Sequence, residues 1–153
     1  MKKIIILIPV FNDWESLKKL LIDIEKNLKN FNNLIFECLV VNDASTATIP
    51  ELKKPEILTS LKILNMKENR GHARCNAFGI RYVIQNEKFD YLILMDGDGE
   101  DRPDELESLI NEVLKNPTNS VVAKRVKRSE GAIFQFLYFM HKIITHFFTG
   151  KII

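Results

Sequence analysis

The sequence predicts an α/β fold: a doubly wound, mostly parallel sheet with helices on both faces. Three observations predict it. Short apolar runs, Ile4–Val10, Leu34–Val41 and Tyr91–Met95, have the length and near-continuity of strands covered on both sides. Between them, apolar residues recur every three to four positions, the spacing of one helix face. The runs end in polar stretches, Asn12-Asp13, Asn42-Asp43-Ala44-Ser45 and Asp96–Asp101. Sheets of this class bind ligands beyond the carboxyl ends of their strands.

Each element has its own warrant. Pro9 closes the first apolar run, and Asn12 or Asp13 can cap the next helix. That helix carries Trp14, Leu17, Leu20, Leu21, Ile24 and Leu28 as a stripe running to Asn30, which reads as core. Leu34–Val41 is the second strand. A polar, proline-punctuated segment, Thr46–Pro55, follows. A short helix is expected over Glu56–Leu61 and a third strand over Leu61–Met66. Asn69-Arg70-Gly71 is a turn. The next helix, His72–Gln85, shows Ala73, Ala77, Ile80 and Ile84 on one side. Tyr91–Met95 is the fourth strand. Arg102-Pro103-Asp104-Glu105 opens a helix, with proline early and acids in the first turn. It runs from Glu105 to Lys115 and is closed by Asn116-Pro117. Ser120–Ala123 is expected to be a fifth short strand. The order β-α-β-α-β-α-β-α-β defines the class.

A chain of 153 residues, 46% hydrophobic and 27% charged, suits one domain with a real core. A net charge of +2 gives no global field toward nucleic acid. Cys38 and Cys75 fit no metal spacing and read as reduced thiols of a cytoplasmic protein. The opening Met1-Lys2-Lys3 and apolar run imitate a signal peptide. Pro9 and Asn12-Asp13 stand where a small-residue cleavage site would be. There is no G-x-G-x-x-G after the first strand and no G-x-x-x-x-G-K-[ST]. Phosphates would then be held by metal and basic side chains.

The chemistry concentrates in Asp96-Gly97-Asp98-Gly99-Glu100-Asp101. In extended chain, alternate side chains point the same way, so Asp96, Asp98 and Glu100 could aim at one point. A hard divalent cation, Mg²⁺ or Mn²⁺, would relieve their repulsion and take substrate phosphates into its shell. Gly97 and Gly99, without Cβ, would let a bulky ligand approach the backbone. Three other readings stand beside this one. The stretch could be a solvated acidic turn. It could be an EF-hand, with Glu107 at loop position twelve but Asp101 where the sharp-turn glycine belongs. It could be an aspartyl phosphatase Asp-x-Asp.

Four segments together resemble family 2 glycosyltransferases of the GT-A fold, a Rossmann-like architecture. IPVFND is similar to the family's opening I/V-P-V-Y-N-E, and VVNDAST to its V-D-D-G-S or V-N-D-G-S. NRGHARCNAFGI resembles N-x-G-x-x-x-A-x-N-x-G. MDGDGEDRPDEL resembles the D-x-D metal site. They stand in the family's order across Lys3–Lys115. The following VVAKRVKRSEGAIFQFLYFMHKIITHFFTG resembles the polyprenyl-phosphate branch, which includes the dolichol- and undecaprenyl-phosphate enzymes. There a G-x-R strand end leads into basic residues and an apolar helix.

The resemblance implies transfer of a sugar from a nucleotide-diphosphate sugar, with inversion, to a polyprenyl phosphate or a glycan. The alternative is a non-catalytic or fragmentary nucleotide-sugar-binding module. By position, Pro9, Val10, Phe11 and Asp13 would line base and ribose. Asp43, beside Asn42, would bond the base of a UDP- or GDP-sugar, and Arg70 and Gly71 would complete the donor site with Gly97. Asp96 and Asp98 would hold Mg²⁺ or Mn²⁺ on the donor diphosphate, Glu100 being a third ligand. Asp98 and Arg125 would act in catalysis, Arg125 at a phosphate. Four departures are plain. Asn42 replaces an acid, Glu100 replaces a glutamine, Ala123-Lys124-Arg125 replaces G-x-R, and Ala44 replaces the glycine of D-G-S, which argues against a positive φ there.

Residues 1–129 are thus expected to form the catalytic domain and 130–153 an amphipathic helix at the cytoplasmic face of the membrane. The helix run is AIFQFLYFMHKIITHFF, from Ala132 to Phe148. Its polar residues, Gln135, His141, Lys142, Thr145, His146 and Thr149, lie near one stripe. Lys124, Arg125, Lys127 and Arg128 precede it. Length and the polar stripe favour an in-plane helix over a spanning one.

Overall fold

The computed structural model describes residues 1–123 and 132–149, with backbone alone at 132–135, 145–146 and 148–149. It holds two compact units, Met1–Ser120 and Val121–Ile153. The first contains β1 (Lys2–Val10), α1 (Trp14–Leu28), β2 (Leu34–Asn42), β3 (Leu58–Asn65), α2 (His72–Asn86), β4 (Tyr91–Leu94), a 3₁₀ turn (Pro103–Glu105) and α3 (Leu106–Lys115). The strand order is β3-β2-β1-β4 and every pairing is parallel.

β1 is the axis because it is apolar on both sides. Ile4, Ile6, Ile8 and Val10 face one layer, shared with the α1 stripe from Trp14 to Leu28 and with Leu106 and Ile110 of α3. Ile5 and Leu7 face the other, shared with Leu39, Val41 and with Cys75 and Val83 of α2. Helices therefore cover both faces, as expected. Each fully buried Ile or Leu stabilises by about 1.5–3 kcal/mol relative to exposure. α1 buries the stripe read from sequence, Trp14, Leu17, Leu20, Leu21, Ile24 and Leu28.

Three expectations are corrected. No helix precedes β3; the strand begins at Leu58. A register shift opposite Phe36 and Glu37 pairs Leu58 with Phe36 and Ser60 with Glu37, leaving Thr59 extra. That bulge puts Leu58 and Leu61 on one face, three apart, which imitates helical spacing. In α2 the buried residues are Cys75, Gly79 and Val83, whereas Ala73 and Ala77 are exposed and Ile84 is 65% exposed. Gly79 sets this face. A Cβ there would lie 2.6 Å from Leu7 Cδ1 and 2.7 Å from Val41 Cγ2, so the helix packs on the sheet through its glycine. Residues 120–123 form no strand. Val122 is 84% exposed.

The second unit contains α4 (Ala132–Thr149). Phe136, Leu137, Tyr138, Phe139, Met140, Ile143, Ile144 and Phe147 are all exposed. Lys142 Nζ lies 5.1 Å from the Tyr138 ring centroid. Among the described residues, no helix is long and apolar enough to cross a membrane.

Candidate functional site

The carboxyl ends of the four parallel strands open on one edge of the first unit. The loop after β1 is held by Asn12, which has a φ of 60°. Its Oδ1 accepts from Thr46 N at 2.8 Å and Ala47 N at 2.9 Å. Its Nδ2 donates to Thr46 Oγ1 at 3.1 Å, and its backbone N donates to Ser45 Oγ at 2.9 Å. An asparagine suits this place because it tolerates the left-handed region and bonds nearby backbone. Asp13 is the N-cap of α1, its Oδ1 accepting from Ser16 N at 3.2 Å.

The loop after β2 is tied in the same way. Asn42 donates to Asn65 Oδ1 and accepts from Ser45 N, both at 2.9 Å. Asp43 is 3% exposed. Its Oδ1 accepts from Arg70 N and its Oδ2 from Gly71 N, each at 2.8 Å. Asp43 N donates to Val10 O at 2.9 Å. Two charge-assisted bonds compensate the carboxylate for burial. Ala44 has a φ of 54°. This corrects the expectation drawn from its replacement of glycine: the loop needs a left-handed residue there whatever the side chain.

His72, the first residue of α2, links this half of the edge to the acidic loop. Its Nε2 lies 3.4 Å from Asp96 Oδ1 and 2.9 Å from Asn76 Nδ2. Within the acidic loop the bonds are local. Asp101 Oδ2 accepts from Asp96 N at 2.8 Å, and Asp98 Oδ1 accepts from Glu100 N at 2.9 Å. Partial burial raises the Asp96 carboxyl above its ordinary value. His72 pulls the other way, and Asp101, Asp98 and Glu100 add to the rise.

The fate of each expected site residue follows. Pro9 and Val10 lie in β1 and are buried, and Val10 belongs to the core beneath the edge. Phe11 is 48% exposed. Arg70 is exposed and pairs with Glu68. Gly97 has an internal reason: a Cβ there would lie 2.9 Å from Pro9 O. Gly99 turns the loop with a φ of 86°. The loop follows a strand, β4, which removes the EF-hand reading. Among the described residues, no group of three or more His, Cys, Asp or Glu side chains stands ready to hold a metal ion. The donors themselves, the carboxylate oxygens of Asp96, Asp98, Glu100 and Asp101 on one short loop, suit a hard divalent cation. Arg125, with Lys124, Lys127 and Arg128, lies outside the described residues. Sequence reasoning took Asn12 only as a possible cap and gave His72 no partner. The Asn12 bonds were foreshadowed by an asparagine at a strand end; the His72–Asp96 contact had no local signal.

An open parallel sheet with polar side chains knitted along its carboxyl edge is the nucleotide-binding architecture of α/β proteins. The profile of Glycosyl transferase family 2 matches residues 5–150. The chain belongs to that family. It is 26% identical over 124 residues to an uncharacterised protein of Methanocaldococcus jannaschii, a match that covers 79% of this chain and 51% of that one. The chain thus spans about half the length of this curated relative. Its fold is similar to that of S. aureus TarS, with a TM-score of 0.55 and 16% identity, over 84% of this chain and 24% of TarS. A shorter TarS chain in complex with UDP gives 0.55 and 17%, over 83% of this chain and 38% of that chain. The same TarS region in complex with UDP-GlcNAc gives 0.50 and 18%, over 83% and 37%.

Proposed function

We propose that this chain carries the donor site of a glycosyltransferase that moves a sugar from a UDP- or GDP-sugar to a polyprenyl phosphate, with inversion. The observation that carries the reading is the continuity of the carboxyl edge. Asp43 grips Arg70 and Gly71, and the next residue, His72, reaches Asp96 of the acidic loop. One ligand with a base at one end and a diphosphate at the other matches such an edge. The UDP and UDP-GlcNAc complexes of TarS support a uridine donor.

The chain's residues then take these roles. Phe11, half exposed, offers its ring to the base. Asp43 has acceptor capacity beyond its two backbone bonds and takes a base N–H. Arg70 brings positive charge to the diphosphate. Asp96 and Asp98, with Glu100, would hold Mg²⁺ or Mn²⁺, which supplies Lewis-acid neutralisation of the departing diphosphate. A hydroxyl acceptor needs a general base, whereas a lipid phosphate is already ionised at neutral pH. Lys124, Arg125, Lys127 and Arg128 would meet that phosphate, and α4 would rest on the cytoplasmic face of an anionic membrane.

The test is titration of the full chain with UDP, GDP and UDP-GlcNAc, in Mg²⁺ and in chelator. Transfer to polyprenyl phosphate in anionic vesicles is then assayed. Metal-dependent binding with transfer is expected. Binding without transfer to any acceptor leaves only a binding module; no nucleotide binding removes the reading.

A further inference from the structure

We propose that Asn12 is a positioning residue for donor binding: its amide locks the loop after β2 onto the loop after β1. This inference rests on the donor-site reading above. Five hydrogen bonds converge on this one residue, four through its side chain and one through its backbone N, and all run to Ser45, Thr46 and Ala47. The partners lie 33 to 35 residues away, so the bonds are tertiary and not a local turn. Asn12 is exposed, which means the bonds do not serve to satisfy a buried amide. Asn12 follows Phe11, and its partners follow Asp43 and Ala44. The clamp therefore holds together the loop tips just beyond the ring offered to the base and the carboxylate that reads it. Without it, each loop keeps its strand attachment, Asp43 N to Val10 O and Met66 N to Asn42 O, but the tips beyond them are free to separate.

The conformation at Asn12 allows the side chain and the backbone to be tested apart. Glycine accepts a φ of 60° and deletes the amide. Alanine deletes the amide and adds strain, since it resists the left-handed region. Aspartate tolerates the conformation and keeps an oxygen that can accept from Thr46 N and Ala47 N. The full chain and its Asn12→Gly, Asn12→Ala and Asn12→Asp variants are titrated with UDP in Mg²⁺, and thermal midpoints are measured in parallel. Asn12→Gly and Asn12→Ala should both weaken UDP by about tenfold, the loss of one to two net hydrogen bonds. Asn12→Asp should stay within about threefold of the wild type. The midpoints should order differently, with alanine lowest. Affinity that follows the midpoints, or that glycine leaves unchanged while the wild type binds, overturns the positioning role alone. A wild type that does not bind UDP or GDP overturns the donor-site reading, and this inference with it.

Discussion

The carboxyl edge of the sheet has two halves built differently. The loops after β1, β2 and β3 are bonded to one another, through Asn12 to 45–47 and through Asp43 to 70–71. The loop after β4 is bonded mainly to itself, through Asp98 to Glu100 and Asp101 to Asp96, and Asp98, Gly99 and Glu100 are exposed. The first half is preorganised: the entropy of ordering its loops is met in folding, so a ligand pays less of it on binding. The second half concentrates like charge, which a bound cation or a proton would relieve. Substitutions in the two halves should therefore fail differently, one in stability and the other in metal-dependent function.

The largest effect is expected in the acidic half. Asp98→Ala removes an exposed carboxylate whose described bond is to its own loop. Folding stability should change by no more than about 0.5 kcal/mol. Turnover and metal-dependent nucleotide binding should fall on the order of 100-fold or more, as expected for loss of a ligand where even supporting groups matter 10–100-fold. Calorimetry in Mg²⁺ and in chelator measures this. Equal affinity of the variant and the wild type in Mg²⁺ would erase the proposed distinction between the halves.

Asp43→Ala should break the other half. It removes the Asp43 acceptor from the N–H groups of Arg70 and Gly71, both exposed residues, and Gly71 N keeps Asn69 Oδ1 at 3.1 Å. A loss of about 1–2 kcal/mol in urea unfolding is expected, in the range of hydrogen bonds to a charged group, with nucleotide binding weakened alike in metal and chelator. Two thiols report where the damage lies. Burial pushes Cys38 up to about 12. It pushes Cys75 up to about 11, with Asp43 adding to the rise. Neither should alkylate in the native wild type at pH 8, where the reactive thiolate is scarce. In Asp43→Ala, Cys75 should react before Cys38, because it sits in the first turns of α2 beside the released loop, while Cys38 is inside β2. Equal rates would mean global rather than local opening.

What was legible in the sequence follows from the range of the forces involved. β1 and α1 were readable because their burial pattern is periodic in the chain itself: Ile4 to Val10 without a break, and Trp14 to Leu28 at helical spacing. β3 was misread where a bulge at Thr59 broke its alternation. The face of α2 was misread because a glycine, Gly79, marks the closest approach, and hydrophobic periodicity gives glycine no weight. In the site, Asp43 and the acidic loop stood out as carboxylates at strand ends. Their partners did not, since Asn12 to Thr46 and His72 to Asp96 are tertiary contacts that no spacing encodes. Asp13, expected to line base and ribose, also caps α1, a role its position before Trp14 announced.

The smallest effect sharpens the comparison from within the preorganised half. Ala44 sits between Asp43 and Ser45 with a φ of 54°. A left-handed alanine costs roughly 1–2 kcal/mol against a right-handed one. The loop keeps it there because Asp43 on one side and Ser45 on the other are already bonded. Ala44→Gly relieves the strain but loosens the unfolded chain, which takes back about 0.5–1 kcal/mol. The expected outcome is a net gain of about 0.5–1 kcal/mol in urea unfolding, with UDP affinity unchanged within about twofold, because the surrounding bonds already define the loop. A lowered midpoint would show that the half-buried methyl of Ala44 contributes more through packing than its backbone conformation costs. A gain in stability joined to a loss of affinity would show that the strain itself helps hold Asp43 in place, and that the two halves of the edge differ less than their hydrogen bonds indicate.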